Sequence, residues 1–155
     1  NIGTQFRNLL IDKVKEGVEV RLMYDDVGSW TAKNSFFKDM EKAGIKVGSF
    51  LKVKIPILTS RVNYRNHRKV VVIDGEVGFM GGMNIADRYI KGINGGVWRD
   101  CHFKLEGKAV HGLQTSFIID WYSATTEFLS SPKYFTVKEP KGCLLYTFDA
   151  ADEEE

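Results

Sequence analysis

Cysteine is scarce: the 155-residue chain holds two, Cys101 and Cys143. So few thiols exclude a disulfide framework, and a reducing compartment is the natural reading. No run of 18 apolar residues exists, so no membrane span is predicted. Metal-ligand spacing is missing as well: His102 and His111 lie nine apart around a Gly107 turn. No metal and no cofactor are expected. The chain lacks an initiator methionine. It opens at Asn1 directly into an amphipathic pattern, as a piece of a longer protein would, so the absence of a signal peptide carries little weight. No internal repeat is visible.

What is present is ordinary globular material, 43% hydrophobic and 27% charged, long enough for one domain with a real core. The last residues stand apart. Residues 142–155 resemble the translation of a sequencing adapter, and the expectation is a non-native tail. Without it Lys+Arg stays at 22 while Asp+Glu falls from 20 to 15, and net charge rises from +2 to +7. A basic domain suits phosphate esters, nucleic acid or an anionic membrane surface, and charge alone does not choose among them.

The periodicity predicts a helix over 5–16, stopped by Gly17. A strand follows over 18–24, then a loop at 25–29, a helix over 32–43 ended by Gly44, and a strand over 45–50. This strand-helix-strand unit implies parallel pairing, with functional loops beyond the strands' C-terminal ends. Residues 52–66 read as a basic loop. Lys69 to Ile73 reads as a buried central strand. Asp74-Gly75 is a hairpin signal, and 77–80 returns antiparallel. A short helix near 85–90, a glycine-rich loop at 93–97 and a strand over 99–105 come next. A long helix over 107–126 buries Val110, Leu113, Phe117, Ile118 and Trp121, and Ser130-Ser131-Pro132 breaks a linker over 129–141. The fold class expected is α/β, with a mixed, mostly parallel sheet flanked by helices on both faces, and residues 1–128 forming one domain.

Residues 67–74 read His-Arg-Lys-Val-Val-Val-Ile-Asp, an H-x-K-x4-D pattern. On a strand, His67 and Lys69 share a face while Arg68 points away. An imidazole beside an ammonium can meet a phosphodiester with nucleophile and countercharge in place. Lys69 neutralises non-bridging oxygens and favours the neutral, nucleophilic imidazole. Asn84, in Gly81-Gly82-Met83-Asn84, can donate to the same oxygens. Asp74 lies seven residues from His67 with opposite parity, too far along an extended strand to touch it, and a turn role competes with a catalytic one. Asp100 is the better carboxylate to fix the histidine tautomer, its alternative being a surface charge at a strand entry.

The pattern is the signature of the phospholipase D superfamily. Further strings resemble bacterial cardiolipin synthases, in particular their N-terminal half: Asn63-Tyr64-Arg65-Asn66-His67-Arg68-Lys69, Gly81-Gly82-Met83-Asn84-Ile85-Ala86 and Trp98-Arg99-Asp100. Many other superfamily members carry Ser where Gly82 stands. The resemblance implies a phospholipase D-like domain and a metal-free, ping-pong phosphatidyltransferase. Its histidine attacks phosphatidylglycerol, releases glycerol and passes the phosphatidyl group to a second phosphatidylglycerol, giving cardiolipin. His67, Lys69, Asp74, Asn84 and Asp100 are then the expected catalytic set, with Lys69, Asn84, Arg65 and Arg68 on phosphate. The family uses two such motifs and this chain has one. The resemblance therefore implies half a site, completed by a missing C-terminal half or a homodimer partner, at the cytoplasmic face of a bacterial membrane.

Lys52, Lys54, Arg61, Arg65, Arg68 and Lys69 surround the motif, either to recruit headgroups or as a solvated loop. Phe36, Phe37, Phe117 and Trp121 read as core. Trp98 faces either an acyl chain or its neighbours. Another phosphodiesterase of the superfamily, a phospholipase or nuclease, is the alternative activity, and a non-catalytic membrane-binding half is a third reading. Nucleic acid is not the expected partner.

Overall fold

The computed structural model describes residues 1–26, 28–29, 34–50, 66–93, 96–136 and 146–149. Lys52, Lys54, Arg61 and Arg65 of the basic loop lie outside the described residues. The chain divides into two compact units.

One unit comprises residues 3–67 and 120–127. Its elements are α1 (Ile2–Lys15), β1 (Arg21–Asp25), α2 (Asn34–Lys42) and β2 (Lys46–Phe50). Both helices end at a glycine with positive φ, Gly17 at 91° and Gly44 at 99°. In each case the two following amides return to the last turn: Gly17 N–H to Val14 and Val18 N–H to Lys13, then Gly44 N–H to Glu41 and Ile45 N–H to Met40. This double bond pattern needs a left-handed residue at its centre, which glycine adopts without a Cβ penalty. β1 and β2 pair in parallel from Arg21↔Lys46 to Asp25↔Phe50, as the strand-helix-strand pattern predicts. Met40, Ile45 and Trp121 form the buried centre. Gly48 lies where a Cβ would meet Trp121 and Thr125 at 3.0–3.1 Å, so the indole packs directly on the β2 backbone.

The other unit comprises residues 1–2, 68–119 and 128–155. It holds β3 (Lys69–Ile73), β4 (Val77–Gly81), α3 (Arg88–Lys91), β5 (Cys101–Glu106) and β6 (Tyr146–Asp149), with α4 (Ala109–Thr125) contributing its residues up to Ile119. The strands run in the order β3-β4-β5-β6, every neighbouring pair antiparallel. The registers place Val70, Val72, Gly78, Met80, Phe103 and Leu105 on one face. Gly78 identifies that face as the one under α4, since a Cβ there would meet Leu113 at 2.7 Å and Val110 at 3.5 Å. Val110, Leu113 and Ile118 of α4 are buried, as their spacing predicts.

The mixed α/β class holds, with two corrections among the described residues. One strand pairing is parallel and three are antiparallel, so the weighting toward parallel pairing fails. β3 is an end strand of its sheet rather than a central one, with Val71 and Ile73 42% and 49% exposed. An unbroken Val-Val-Val-Ile run fits a strand covered on one face as well as one covered on both, because burial alternates while the residue type does not.

The stretch read as a linker packs against this same unit as far as it is described. Leu129 is buried, Pro132–Tyr134 makes a 3-10 turn, and the Thr136 hydroxyl donates to the Asp74 carbonyl at 2.5 Å. His111 is half-buried, its Nε2 2.9 Å from the Thr136 carbonyl oxygen and its ring edge-on to Phe135. Within the carboxy-terminal run set aside above, Tyr146–Asp149 forms β6.

Candidate active site

The motif residues occupy different elements. Lys69 opens β3, opposite Gly81. Asp74 follows the other end of that strand, about 16 Å away for five extended residues. It sits exposed in the hairpin turn at φ 55°, beside Gly75 at 69°, and the turn is closed by Glu76 N–H to the Ile73 carbonyl at 3.0 Å. The register brackets residues 74–76, so the loop is one residue longer than the Asp-Gly signal implies. These contacts give Asp74 a turn position, remote from Lys69.

His67 ends the stretch 3–67 of the unit that contains β1, and it is exposed. Its predecessor is held firmly. The Asn66 backbone N–H donates to Asp25 Oδ2 at 2.8 Å, and Asn66 Nδ2 donates to Asp120 Oδ2 at 3.2 Å. Asp25 ends β1, where loops beyond a parallel strand carry function, and its other oxygen accepts Gly28 N–H at 2.6 Å. Asp120 is buried, and the amide is a natural partner for a carboxylate removed from water. Two carboxylates thus anchor the residue before the candidate nucleophile. The sequence reading missed both. A carboxylate in a polar strand-end loop carries no signal of a partner forty residues away.

In the other unit, Lys69, Gly81 and His102 form one row across β3, β4 and β5. Gly81 is tightly enclosed: a Cβ would collide with the Cys101 carbonyl and lie 2.6 Å from His102 Cα. His102 is half-buried, and among the described residues its Nδ1 finds no hydrogen-bond partner. Burial pulls its imidazole below the ordinary histidine range, partly opposed by the charge of Asp100.

Gly82 N–H donates to the Cys101 carbonyl at 2.9 Å. Any side chain at Gly82 would run into the Asp100 carboxylate, so glycine at this position leaves room for Asp100. Asp100 Oδ1 accepts its neighbour's amide, Cys101 N–H, at 2.8 Å. Asn84 is exposed and donates from Nδ2 to the Tyr89 hydroxyl at 3.1 Å, and that hydroxyl donates to the Gly82 carbonyl at 3.4 Å. The Tyr89 ring meets Trp98 edge-on, and the Arg88 guanidinium lies 5.2–5.3 Å from both ring centres. Burial pushes the Tyr89 phenol up, but hydrogen bonds from Asn84 and Arg88 outweigh it and hold the phenol below its usual value. Tyr89 and Arg88 were not singled out from sequence: the short helix that presents them has too few turns to show a periodic face.

A cavity of about 370 Å³ opens at the start of β3, lined by Arg68, Lys69, Val70, Met80, Gly81, Leu113 and Ser116. Val70, Met80 and Leu113 supply its apolar lining beside Arg68, and its volume falls within the size range of small-molecule sites. Of the proposed phosphate-binding residues, Arg68 and Lys69 line this cavity, Asn84 belongs to the Tyr89 cluster, and Arg65 lies outside the described residues. Among the described residues no group of three His, Cys, Asp or Glu side chains could hold a metal ion, and no helix is long and apolar enough to cross a membrane.

A family model described as "Cardiolipin synthase, PLD-like domain" matches residues 3–95. The chain belongs to this family. Cardiolipin synthase of Alkalihalophilus pseudofirmus is 47% identical over 137 residues, covering 88% of this chain and 27% of that protein. Cardiolipin synthase 2 of Bacillus cereus is 46% identical over 142 residues, 91% of this chain and 28% of that protein. Major cardiolipin synthase ClsA of Bacillus subtilis is 46% identical over 145 residues, 91% of this chain and 30% of that protein. The chain thus spans under a third of the length of the cardiolipin synthases it matches. No solved structure matches it.

Proposed function

We propose that this chain is one half of a phosphatidyltransferase site that makes cardiolipin from two phosphatidylglycerols. The observation that carries the reading is the H-x-K-x4-D motif, whose Arg68 and Lys69 are among the residues lining a cavity with Val70, Met80 and Leu113. A phosphodiester attached to acyl chains needs cationic and apolar surface side by side.

In this reading the His67 imidazole attacks phosphorus and the P–O bond to the glycerol headgroup breaks. Glycerol leaves with a proton delivered by the histidine of a second motif. The headgroup hydroxyl of another phosphatidylglycerol then attacks the phosphatidyl-histidine, loses its proton to that same group, and the P–N bond breaks. Lys69 and Asn84 stabilise the charge on the non-bridging oxygens. Asp100 fixes a histidine tautomer, and Arg65 and Arg68 add countercharge. Asp74 serves the turn. The second motif comes from a C-terminal half or from another copy, and the site works at a membrane surface, on the cytoplasmic side of a bacterial cytoplasmic membrane. Gly82, with Asp100 packed on it, favours the synthase over a phospholipase or nuclease of the superfamily.

The test mixes the 155-residue chain with a separately expressed C-terminal half of a related synthase, in phosphatidylglycerol mixed micelles, and follows lipids by mass spectrometry. Cardiolipin formed only by the mixture, and lost with His67→Ala, is the expected result. Hydrolysis without transfer would replace this reading with the phospholipase one.

A further inference from the structure

The lobe between Asn84 and Asp100 carries an unusual surface. Ile85 is 54% exposed, Ile90 67%, Ile93 42%, Val97 72% and Trp98 40%. They fall within fourteen residues of chain, parts of which are held together by a backbone bridge and a ring cluster. Ile93 and Gly96 bridge through both backbone bonds at 2.9 Å. Gly92, at φ 70°, lets the chain turn so tightly that a Cβ there would strike the Gly96 carbonyl. Trp98 is tied back to α3 by its ring contact with Tyr89 and by Arg88 stacked over it.

Single exposed apolar residues need no explanation, but a contiguous group of large ones marks an interaction surface. The charges around it choose the partner. Arg88, Lys91 and Arg99 are exposed in the same lobe. Its one acidic residue between 85 and 99, Asp87, is turned to the chain's start, accepting Ile2 N–H at 2.7 Å. Isoleucines and a tryptophan rimmed by arginine and lysine match the boundary of an anionic bilayer. There, aliphatic side chains enter the acyl region, indoles sit at headgroup level and cations meet lipid phosphates.

We propose that residues 85–93 and 96–98 form a membrane-docking element that inserts Ile90 and Val97 into the outer acyl region of an anionic bilayer, beside Asn84. The proposal deepens, and rests on, the reading of the site as one that acts on phospholipid. Docking here brings lipid phosphates to the Asn84–Tyr89 edge without lifting a whole lipid into water.

The experiment sediments the 155-residue chain with vesicles of phosphatidylcholine alone and of phosphatidylcholine with phosphatidylglycerol in equal parts. It compares the wild type with the double variant Ile90→Ser/Val97→Ser. Both side chains are mostly exposed, so the variant should melt at the wild-type temperature. Expected are binding to the anionic vesicles and a loss of about tenfold or more in partitioning for the variant. Brominated lipids should quench wild-type tryptophan fluorescence, and Trp98→Phe should remove that quenching. Equal partitioning of wild type and variant, or no quenching at Trp98, overturns the proposal. Either outcome assigns the surface to a protein partner such as the complementary half. Binding requires no turnover, so failed phosphatidyl transfer with docking intact would sink the catalytic reading and leave this one standing.

Discussion

The Asp25 carboxylate accepts the backbone N–H of Asn66 at 2.8 Å, one residue before His67. A residue at the end of a parallel strand thereby sets the backbone from which the candidate nucleophile projects. Replacing Asp25 by Ala removes this bond and the one to Gly28 N–H together. Hydrogen bonds to charged groups are worth about 1.5–3 kcal/mol each. We expect lower thermal stability and a fall in turnover that exceeds any rise in KM, because binding groups remain while the nucleophile loses its aim. Steady-state kinetics of the complemented enzyme decides it: a change in KM alone would contradict a positioning role.

Tyr89 stands to Asn84 as Asp25 stands to Asn66. Tyr89→Phe keeps the ring contacts with Trp98 and Arg88 but removes the oxygen that accepts Asn84 Nδ2. With one bond worth about 1 kcal/mol, turnover should drop roughly fivefold, with the chain still folded by circular dichroism. Wild-type turnover in Tyr89→Phe would show that Asn84 needs no such support.

The two adjacent glycines should respond differently to alanine. At Gly81 a methyl group meets the Cys101 carbonyl and His102 Cα, both backbone. At Gly82 it meets the Asp100 carboxylate, which can rotate away. Gly81→Ala should therefore destabilise the fold by about 1–3 kcal/mol, and Gly82→Ala by less. Gly82→Ala should instead reduce transfer, by displacing Asp100. Urea denaturation and the transfer assay, run on both variants, separate the effects, and equal stability losses would refute the distinction.

Glu127 sets a pH dependence. Hydrogen bonds from Lys46, Arg21 and Trp121 lower its carboxyl from 4.5 to about 2. The lowered value means that the stabilisation is fully present above about pH 4.5 and is lost as pH falls toward 2. The side chain is 37% exposed, so solvent screening limits the contribution to about 1 kcal/mol or less. Glu127→Gln should melt below the wild type at neutral pH and converge with it near pH 2. A constant difference across that range would place its cause in packing instead.

Local signals carried much of the fold. Gly17 and Gly44 stop their helices through left-handed conformations that few other residues adopt, and the β3 boundaries follow from the apolar run and the Asp-Gly turn. The apolar spacing of α4 named Val110, Leu113, Ile118 and Trp121. The position of β3 was not legible, because the same run suits an edge strand with one face under a helix. The contacts of His111 with Phe135 and Thr136 were not legible either, because they depend on residues beyond α4 folding back.

The chain by itself determined the chemistry available: one imidazole and one ammonium two residues apart, a glycine pair leading to Asn84, and Asp100 at a strand entry. Those are properties of residue type and short spacing, and they suffice for family membership. The tertiary structure alone decided what supports that chemistry. Asp25 and Asp120 reach Asn66, and Tyr89 reaches Asn84, because folding joins groups far apart in the chain or separated by a turn. Hydrogen bonds act over about 3 Å of space and are blind to sequence distance, so no pattern in the chain announces them.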